Sequence, residues 1–273
     1  MLVHLIDGTY ELFRLFYGLK RGTENEGPYA AVAGVLRTVV TMIEDGATHV
    51  GVATDHVIES FRNDLYAGYK TGDGIDPALF SQFHTLEDAL QAIGVLTWPM
   101  VEFEADDALA AAAFRAAADP HVERVCIWTP DKDLAQCVVG DRVVQVDRRS
   151  KAIRNADAVR EKFGVVPERI PDYLALVGDS ADGYPGIAGI GAKTAARLIN
   201  AHGAIEDFPA DVLGAQKADA LLFKRLATLR TDVPVFDDVD ALRWRGPAPY
   251  FASVPASIID ERLAARIMTL GSR

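Results

Sequence analysis

GDSADGYPGIAGIGAKT, residues 178–194, is the most informative part of this chain. Helical patterns precede and follow it, so it predicts a glycine-rich hairpin between two helices, at about residues 178–202. Glycines allow such a hairpin to turn tightly and to approach a ligand closely. The helix that follows presents its N-terminal amides, and Lys193 adds a positive charge, so a phosphate group is the expected ligand.

A P-loop is the first alternative for this stretch, but its spacing does not fit. A P-loop follows a strand and needs glycine and lysine next to each other. Here Ala192 separates Gly191 from Lys193, and a helix comes before the glycines. A plain turn between two helices is the second alternative, which five glycines and the flanking carboxylates disfavour. Backbone contacts of this kind hold nucleic acid without reading its sequence.

The residues before about 150 alternate between short apolar runs and helical patterns. Strands are predicted at residues 2–6, 49–53, 95–98, 125–128 and 143–146, and helices at residues 29–43 and 106–118. This alternation indicates a mostly parallel central sheet with helices on both faces. Further helices are predicted at residues 155–163, 168–177, 193–201, 217–229 and 258–270. We therefore expect an α/β core over residues 1–150 and a helical lobe over residues 151–273.

One long segment, at about residues 56–88, interrupts the core pattern. It contains Gly68, Gly72, Gly74 and Pro77 among charged residues. Long excursions of this kind are often functional or mobile, and an exposed surface loop is the alternative.

Composition excludes several classes of protein. The 273 residues are 49% hydrophobic and 25% charged, as in an ordinary folded domain. The net charge of −11 disfavours proteins that coat nucleic acid by bulk charge, although local basic patches remain open. Two cysteines exclude a disulfide scaffold and a thiolate zinc site. No apolar run approaches the ~20 residues of a membrane helix, and the first strand leaves no room for a signal peptide, so we expect a soluble cytoplasmic protein.

Acidic residues gather where the predicted strands end, and others open or close helices. The set comprises Asp7, Asp55, Glu104, Asp106, Asp107, Asp131, Asp133, Asp179 and Asp182. Each of them on its own could be an ordinary turn or capping residue. In an open parallel sheet, however, ligands bind beyond the carboxyl ends of the strands, where these side chains would converge. Such a cluster repels itself unless cations neutralise it.

Oxygen-only ligands suit hard cations, so the cluster predicts Mg²⁺ or Mn²⁺. The six histidines show no metal-ligand pattern, and zinc is not expected. Two ions about 3.5–4 Å apart are the usual arrangement for phosphodiester hydrolysis, in which one ion activates water and the pair stabilises the reacting oxygens. Two divalent ions neutralise only part of the negative charge of the nine carboxylates. Several of these carboxylates are therefore expected to bind the ions through water or to lie beyond the residues that contact the ions.

Five motifs in this order span about residues 2–230. They are Leu5–Gly8, Phe61-Arg62 with Tyr69-Lys70, Phe103–Asp107, Thr129–Leu134 and Gly178–Thr194. With them the chain resembles the 5′-nuclease family, the flap endonuclease-like 5′→3′ exonucleases. It is similar to the N-terminal 5′-nuclease domain of bacterial DNA polymerase I, here without a polymerase.

This resemblance implies a PIN-like core, a helical arch at residues 56–88 that passes the 5′ single strand, and a helix–three-turn–helix motif at residues 183–193 that grips duplex DNA. The nine acids match the metal-binding residues of the family. Lys70 matches an arch lysine that approaches the scissile phosphate, and Arg62 matches a nearby basic position. The DNA contacts that it implies are a base stacked on Tyr69 and contacts to Gly186, Gly189, Gly191, Lys193, Thr194 and Arg197.

One departure concerns the arch, because Thr71-Gly72-Asp73-Gly74 follows Lys70 where relatives commonly place another Arg or Lys. The arch is therefore expected to be less basic and more flexible.

The function implied by the resemblance is two-metal hydrolysis of DNA and RNA-primer 5′ ends and of 5′ flaps in replication and repair. The expected substrate is nicked or branched DNA, and the expected enzyme is a nucleoid-associated monomer working in sequence with a DNA polymerase and a ligase. A compact PIN-type ribonuclease and a non-catalytic protein that binds branched DNA are the alternatives.

Overall fold

The structure is a computed structural model that describes residues 1–19 and 27–272. Its strands are β1 (Leu2–Asp7), β2 (His49–Asp55), β3 (Leu96–Met100), β4 (Arg124–Trp128), β5 (Val143–Val146) and β6 (Ile153–Arg154). They form one sheet in the order β3-β2-β1-β4-β5-β6. β1 to β5 pair in parallel, and β6 runs antiparallel to β5. The predicted, mostly parallel sheet is confirmed.

The longer helices of the described residues mostly follow the predicted pattern, with several additions. They are α1 (Gly8–Leu19), α2 (Ala30–Glu44), α3 (Phe61–Leu65), α4 (Pro77–Phe80), α5 (Phe83–Ala92), α6 (Ala105–Ala118), α7 (Ala156–Phe163), α8 (Ile170–Val177), α9 (Ala192–His202), α10 (Ala210–Leu213), α11 (Lys217–Ala227) and α12 (Glu261–Gly271). The helix ranges predicted from periodicity do not include α1, α3, α4, α5 or α10, although the resemblance implies a helical arch where α3 and α4 lie. Among these described helices, none has the length and apolar character needed to cross a membrane.

Helices cover both faces of the sheet, as predicted. Successive side chains of a strand point to opposite faces. In β1, Ile6 packs in an apolar cluster with α2, α5 and α12, whereas Leu5 packs on the other face with α6. Strands that are buried on both faces read as continuous apolar runs, which is why the sequence reveals them.

Helices α7 to α11 build the predicted lobe around a separate apolar cluster. Leu174, Ile199 and Phe223 lie in this cluster. Tyr69 and Ala135 of the core side also pack in it, so the lobe is joined to the core beside the ends of the strands. This junction places the hairpin next to the carboxyl edge of the sheet.

The end of the chain differs from the predicted lobe of residues 151–273. Leu263 and Ile267 of α12 lie in the apolar cluster of α2 and α5, and Arg266 forms an ion pair with Glu44 at 2.6 Å. These apolar side chains repeat at helical spacing and bury a face of the core that would otherwise contact water. The last segment therefore belongs to the core, while the boundary near residue 150 stays a prediction.

Residues 56–88 form α3, α4 and the first half of α5. Ser60 and Asn63 make a capping box at the start of α3, and Asp76 caps α4. Arg62 and Leu79 are fully buried. The burial of these side chains disfavours the exposed surface loop and shows a segment of short helices that packs on the body of the protein.

Candidate metal centre at the carboxyl edge of the sheet

The centre of the sheet edge is where ligands bind in open parallel sheets. From β1 the chain runs outward through β2 to β3, and it then returns to β4 and runs outward the other way, so the strand order reverses between β1 and β4. Asp7 ends β1, and its Oδ1 accepts a hydrogen bond from the Tyr10 amide at 2.8 Å. Its Oδ2 accepts from the Thr129 hydroxyl at 3.0 Å, which ties the ends of β1 and β4 together. Asp7 therefore caps α1 and also lies at the carboxyl edge of the sheet.

The first turn of α6 brings a second set of acids to the end of β2. Asp55 ends β2, and its Oδ1 accepts from the Ala105 amide at 2.8 Å. Glu104 is the N-cap of α6, and the Asp107 carboxylate accepts from its amide at 3.0 Å, in a capping box. This capping box places Glu104 and Asp107, three residues apart, on one side of the first helical turn.

Two groups of carboxylates have ligand atoms within 4.8 Å of one another. One group is Asp106, Asp131 and Asp133, and the other is Asp133, Asp179 and Asp182. Asp133 belongs to both, and its Oδ1 is buried without a hydrogen-bond partner. A buried oxygen of this kind costs free energy unless a donor or a cation satisfies it. Two adjacent oxygen-only groups that share one carboxylate fit a pair of Mg²⁺ or Mn²⁺ ions.

The electrostatics of the protein alone disfavour this cluster. Burial, together with the charges of Asp55 and Asp131, raises the pKa of Asp7 to about 7. Burial and then the charge of Asp131 hold the pKa values of Asp106 and Asp133 well above their ordinary range. Divalent cations would favour the ionised forms of all these groups.

Two lysines neutralise part of the negative charge. The Lys70 ammonium lies 2.8 Å from Glu104 Oε2 and 3.0 Å from Asp182 Oδ1. Burial opposes its charge, but Glu104 and Asp182 more than offset burial and hold its pKa well above the ordinary value. Lys132, to which sequence analysis gives no role, pairs with Asp179. Its position between two acids of one motif is the signal that could have identified it.

Arg62 is placed differently from the catalytic role predicted for it. Its guanidinium is buried and donates to both oxygens of Asp107, at 2.7 and 2.8 Å, and its Nε donates to the Leu226 carbonyl. The planar fork of arginine matches a carboxylate in this bidentate way. Asp107 itself lies outside both carboxylate groups. We therefore revise both assignments: Arg62 and Asp107 position the site by joining α3, α6 and α11.

Tyr69 also differs from its prediction as a base-stacking residue. It is 3% exposed, and its ring lies in the apolar cluster of the lobe. Its hydroxyl lies 3.3 Å from Glu104 Oε2, and the Ser60 hydroxyl donates to Glu104 Oε1 at 2.7 Å. With its ring enclosed, Tyr69 orients Glu104 and cannot stack on a base in this conformation. Sequence analysis gives Ser60 no role, and it assigns Tyr69 to a base rather than to Glu104.

The hairpin presents an open helix N-terminus beside the centre. Gly191 is the N-cap of α9, and within the described structure no side chain caps this end. The exposed residues are Gly189, Gly191, Lys193 and Arg197, and Thr194 is half-buried. Gly186 is buried with φ +72°, and a Cβ there would lie 2.4 Å from the Gly178 nitrogen, so it shapes the turn. Free amides and exposed cations at a helix start suit a phosphate group.

Family models match both parts of this architecture. The 5′-3′ exonuclease N-terminal resolvase-like domain matches residues 2–164, and the 5′-3′ exonuclease C-terminal SAM fold matches residues 165–249. The 5′-3′ exonuclease of Aquifex aeolicus (strain VF5) is 31% identical over 255 residues, which cover 90% of this chain and 87% of that protein. DNA polymerase I of Mycobacterium leprae (strain TN) is 34% identical over 262 residues.

The match to the M. leprae protein covers 89% of this chain and 28% of that polymerase, so the chain spans less than a third of its length. The fold is similar to that of the bacteriophage T5 D15 flap endonuclease, solved with DNA and metal ions, with a TM-score of 0.63, 17% identity and coverage of 100% of both chains. At this identity the likeness concerns the fold alone. On the two family models and the Aquifex relative, the chain belongs to the 5′-3′ exonuclease family.

Proposed function

We propose that this protein is a divalent-metal-dependent 5′→3′ exonuclease and 5′-flap endonuclease that acts on DNA and RNA-primer 5′ ends. The observation that carries the proposal is the pair of carboxylate groups that share Asp133, with Lys70 beside them. Membership of the 5′-3′ exonuclease family supports the reaction. The similar structure of the T5 endonuclease is a complex with DNA and metal ions, which supports the proposed cofactor and substrate class.

Two or more Mg²⁺ or Mn²⁺ ions would be held by the two carboxylate groups. When bound, such ions lower the pKa of water and stabilise charge on the attacking and leaving oxygens of a phosphodiester. Asp7, Asp55 and Glu104 lie around these groups, where they would act through bound water or orient the closer ligands. Asp107 would position α6 rather than contact an ion.

The chain's own contribution to the reaction centres on Lys70. Its side chain is 31% exposed, so the ammonium is accessible from the crevice. The raised pKa keeps it charged, and a phosphate oxygen would receive a charge-assisted hydrogen bond from it. Glu104 holds Lys70 in place, and the hydroxyls of Ser60 and Tyr69 hold Glu104.

The hairpin and α9 would grip the duplex backbone through their amides, Lys193 and Arg197. These contacts read no sequence, so selectivity would come from the position of the 5′ end relative to the centre. Because the chain is acidic overall, affinity should be modest, sensitive to salt and dependent on divalent ions.

The cellular context follows from the product of such a reaction. Removal of a 5′ end or flap leaves a gap or a nick, which requires a polymerase and then a ligase. We therefore propose that the protein works as a monomer in the cytoplasm, at the nucleoid, in sequence with these enzymes. The DNA polymerase I relative supports this context.

The test is cleavage of a labelled 5′-flap duplex with Mg²⁺, with Mn²⁺ and with EDTA, with product lengths resolved on a gel. Cuts near the junction that EDTA abolishes are expected. Single-nucleotide products alone would leave exonuclease activity but contradict flap cleavage. Cleavage confined to single-stranded RNA, or binding of flaps with no cleavage in either metal, would refute the proposal.

Two variants locate the reaction at the proposed centre. Asp131→Ala and Asp179→Ala should abolish cleavage and retain binding of flap DNA, because each removes one ligand from a different carboxylate group. Undiminished turnover in either variant would contradict the site.

A further inference from the structure

We propose that His56, His84 and Glu87 form a second metal site, for a transition-metal ion of the Zn²⁺ class, separate from the carboxylate centre. One ligand atom from each of these residues lies within 4.8 Å of the other two. None of the three belongs to either carboxylate group. His56 and His84 are 28 residues apart, so their spacing in the sequence shows no metal pattern.

The donor set selects a different ion from the one proposed at the carboxylate centre. Two imidazole nitrogens and one carboxylate oxygen suit Zn²⁺ and its neighbours, whereas Mg²⁺ and Mn²⁺ prefer oxygen alone. Three protein ligands with an open fourth position are the common arrangement of zinc sites in enzymes.

Glu87 is held as a metal ligand would be. It is 4% exposed, although a buried carboxylate is unfavourable unless it is neutralised. Its Oε1 accepts a hydrogen bond from the Thr54 hydroxyl at 3.0 Å, and its Oε2 lies 2.7 Å from His56 Nδ1. Hydrogen bonds of the Thr54 kind orient ligating carboxylates in metalloproteins.

His84 is the residue that a simple ion pair does not require. One imidazole, that of His56, already partners Glu87. The ring of His84 nevertheless stacks on that of His56, with centroids 4.0 Å apart and planes 9° apart. His84 Nε2 lies 3.2 Å from the His56 carbonyl oxygen, and the residue is exposed, so binding of an ion held by His56 and Glu87 would exchange this contact for a bond to the ion.

The position of the site gives it a consequence for the rest of the protein. His56 directly follows β2, at the start of the segment that carries Ser60 and Lys70. His84 and Glu87 lie on α5, which packs against the core. A bound ion would therefore join the start of this segment to the body of the protein.

The test is a calorimetric titration of the full chain with Zn²⁺, with Mg²⁺ in excess to occupy the carboxylate centre. Wild type is compared with His84→Ala and with His121→Ala, a control that removes an exposed imidazole elsewhere. We expect His84→Ala to lose about tenfold or more in Zn²⁺ affinity and His121→Ala to match wild type. Equal binding by wild type and His84→Ala, or equal losses in both variants, would overturn the proposal.

A second measurement separates this site from the nuclease reaction. Zn²⁺ should raise the melting temperature of wild type and of Asp131→Ala, but not that of His84→Ala, because only the last lacks a ligand of this site. A Zn²⁺ shift that persists in His84→Ala and disappears in Asp131→Ala would assign the binding to the carboxylate centre and refute the proposal. Neither result depends on whether flap DNA is cleaved.

Discussion

Asp106 and Asp107 are neighbours on α6, yet the same substitution to asparagine should have opposite effects on the free energy of unfolding. Asp107 is fully buried and partnered: its oxygens accept from both Nη atoms of Arg62 and from the amides of Glu104 and Arg230. Asp106 instead faces other carboxylates. Its own burial, and then the charges of these carboxylates, hold its pKa well above the ordinary range.

The magnitude for Asp107→Asn follows from the burial of its partner. Asparagine keeps the shape but takes the bidentate countercharge from the guanidinium of Arg62, which is 1% exposed and retains only Glu104, at 3.4 Å, as an ionic partner. Removing one partner of a buried ion pair costs about 3–5 kcal/mol. The free energy of unfolding of a folded domain is about 5–15 kcal/mol, so Asp107→Asn should lose a large part of this stability. Cleavage should fall because the first turn of α6 loses its anchor.

Asp106→Asn removes a repulsive charge and should leave the metal-free protein at least as stable as wild type. Its cleavage activity should nevertheless be lost, because Asp106 belongs to the carboxylate group with Asp131 and Asp133. The two variants thus separate loss of the fold from loss of the reaction.

Urea unfolding in EDTA, followed by circular dichroism, measures the first effect, and flap cleavage with Mg²⁺ measures the second. Glu102→Gln, an exposed neighbour, is the control and should change neither. If Asp107→Asn unfolds at the same urea concentration as wild type, the anchoring role of Arg62 and Asp107 is refuted. A marked loss of stability in Asp106→Asn would refute the repulsion between these carboxylates.

Three further predictions follow from the same geometry. Lys70→Ala should lower kcat about 100-fold and change binding of flap DNA little, and equal losses in rate and binding would contradict a role in the reaction. Lys193→Ala and Arg197→Ala should each weaken binding to DNA of any sequence. Each should also reduce the slope of the logarithm of the binding constant against the logarithm of the salt concentration by about one, and an unchanged slope would exclude contact with phosphate. Burial lowers the pKa of His4 from 6.5 to about 4, so the unfolded state binds the proton more readily and stability is lost as pH falls from 6.5 to 4. His4→Gln should flatten this part of the stability profile in urea unfolding, and an unaltered profile would assign the acid sensitivity to other groups.

The sheet and most helices can be predicted from the sequence because their local patterns are strong. β1 and β2 are mostly apolar, and each ends in an aspartate. α1 is not predicted, because it begins at Gly8 directly after β1 with no turn between them. Asp7 has two roles there, as the end of a strand and as the cap of a helix.

The partners of the site are harder to predict. A basic or aromatic residue within a motif suggests contact with a ligand, and only packing shows that Asp107 uses the donors of Arg62 and that the ring of Tyr69 is enclosed. α12 is predicted as a helix from its periodicity, but periodicity does not identify the surface that the helix covers. The convergence of carboxylates at one place can be predicted because it depends on parallel strands sharing an edge, whereas their ion pairs depend on long side chains from distant segments.

The hairpin connects the proposed DNA-binding surface to the proposed metal centre through one short piece of chain. Asp182 contributes its carboxylate to the group with Asp133, and its carbonyl accepts a hydrogen bond from the Lys70 amide at 3.0 Å. The next residue, Gly183, has φ +88°, and a Cβ there would lie 2.1 Å from the Gly68 carbonyl oxygen, so this close approach requires glycine. From this fixed point the chain runs directly to the exposed amides and Lys193 at the start of α9. On the proposed function, a duplex held there would not move far relative to the carboxylates, so we expect the position of cleavage to be set by where the duplex ends and not by its sequence.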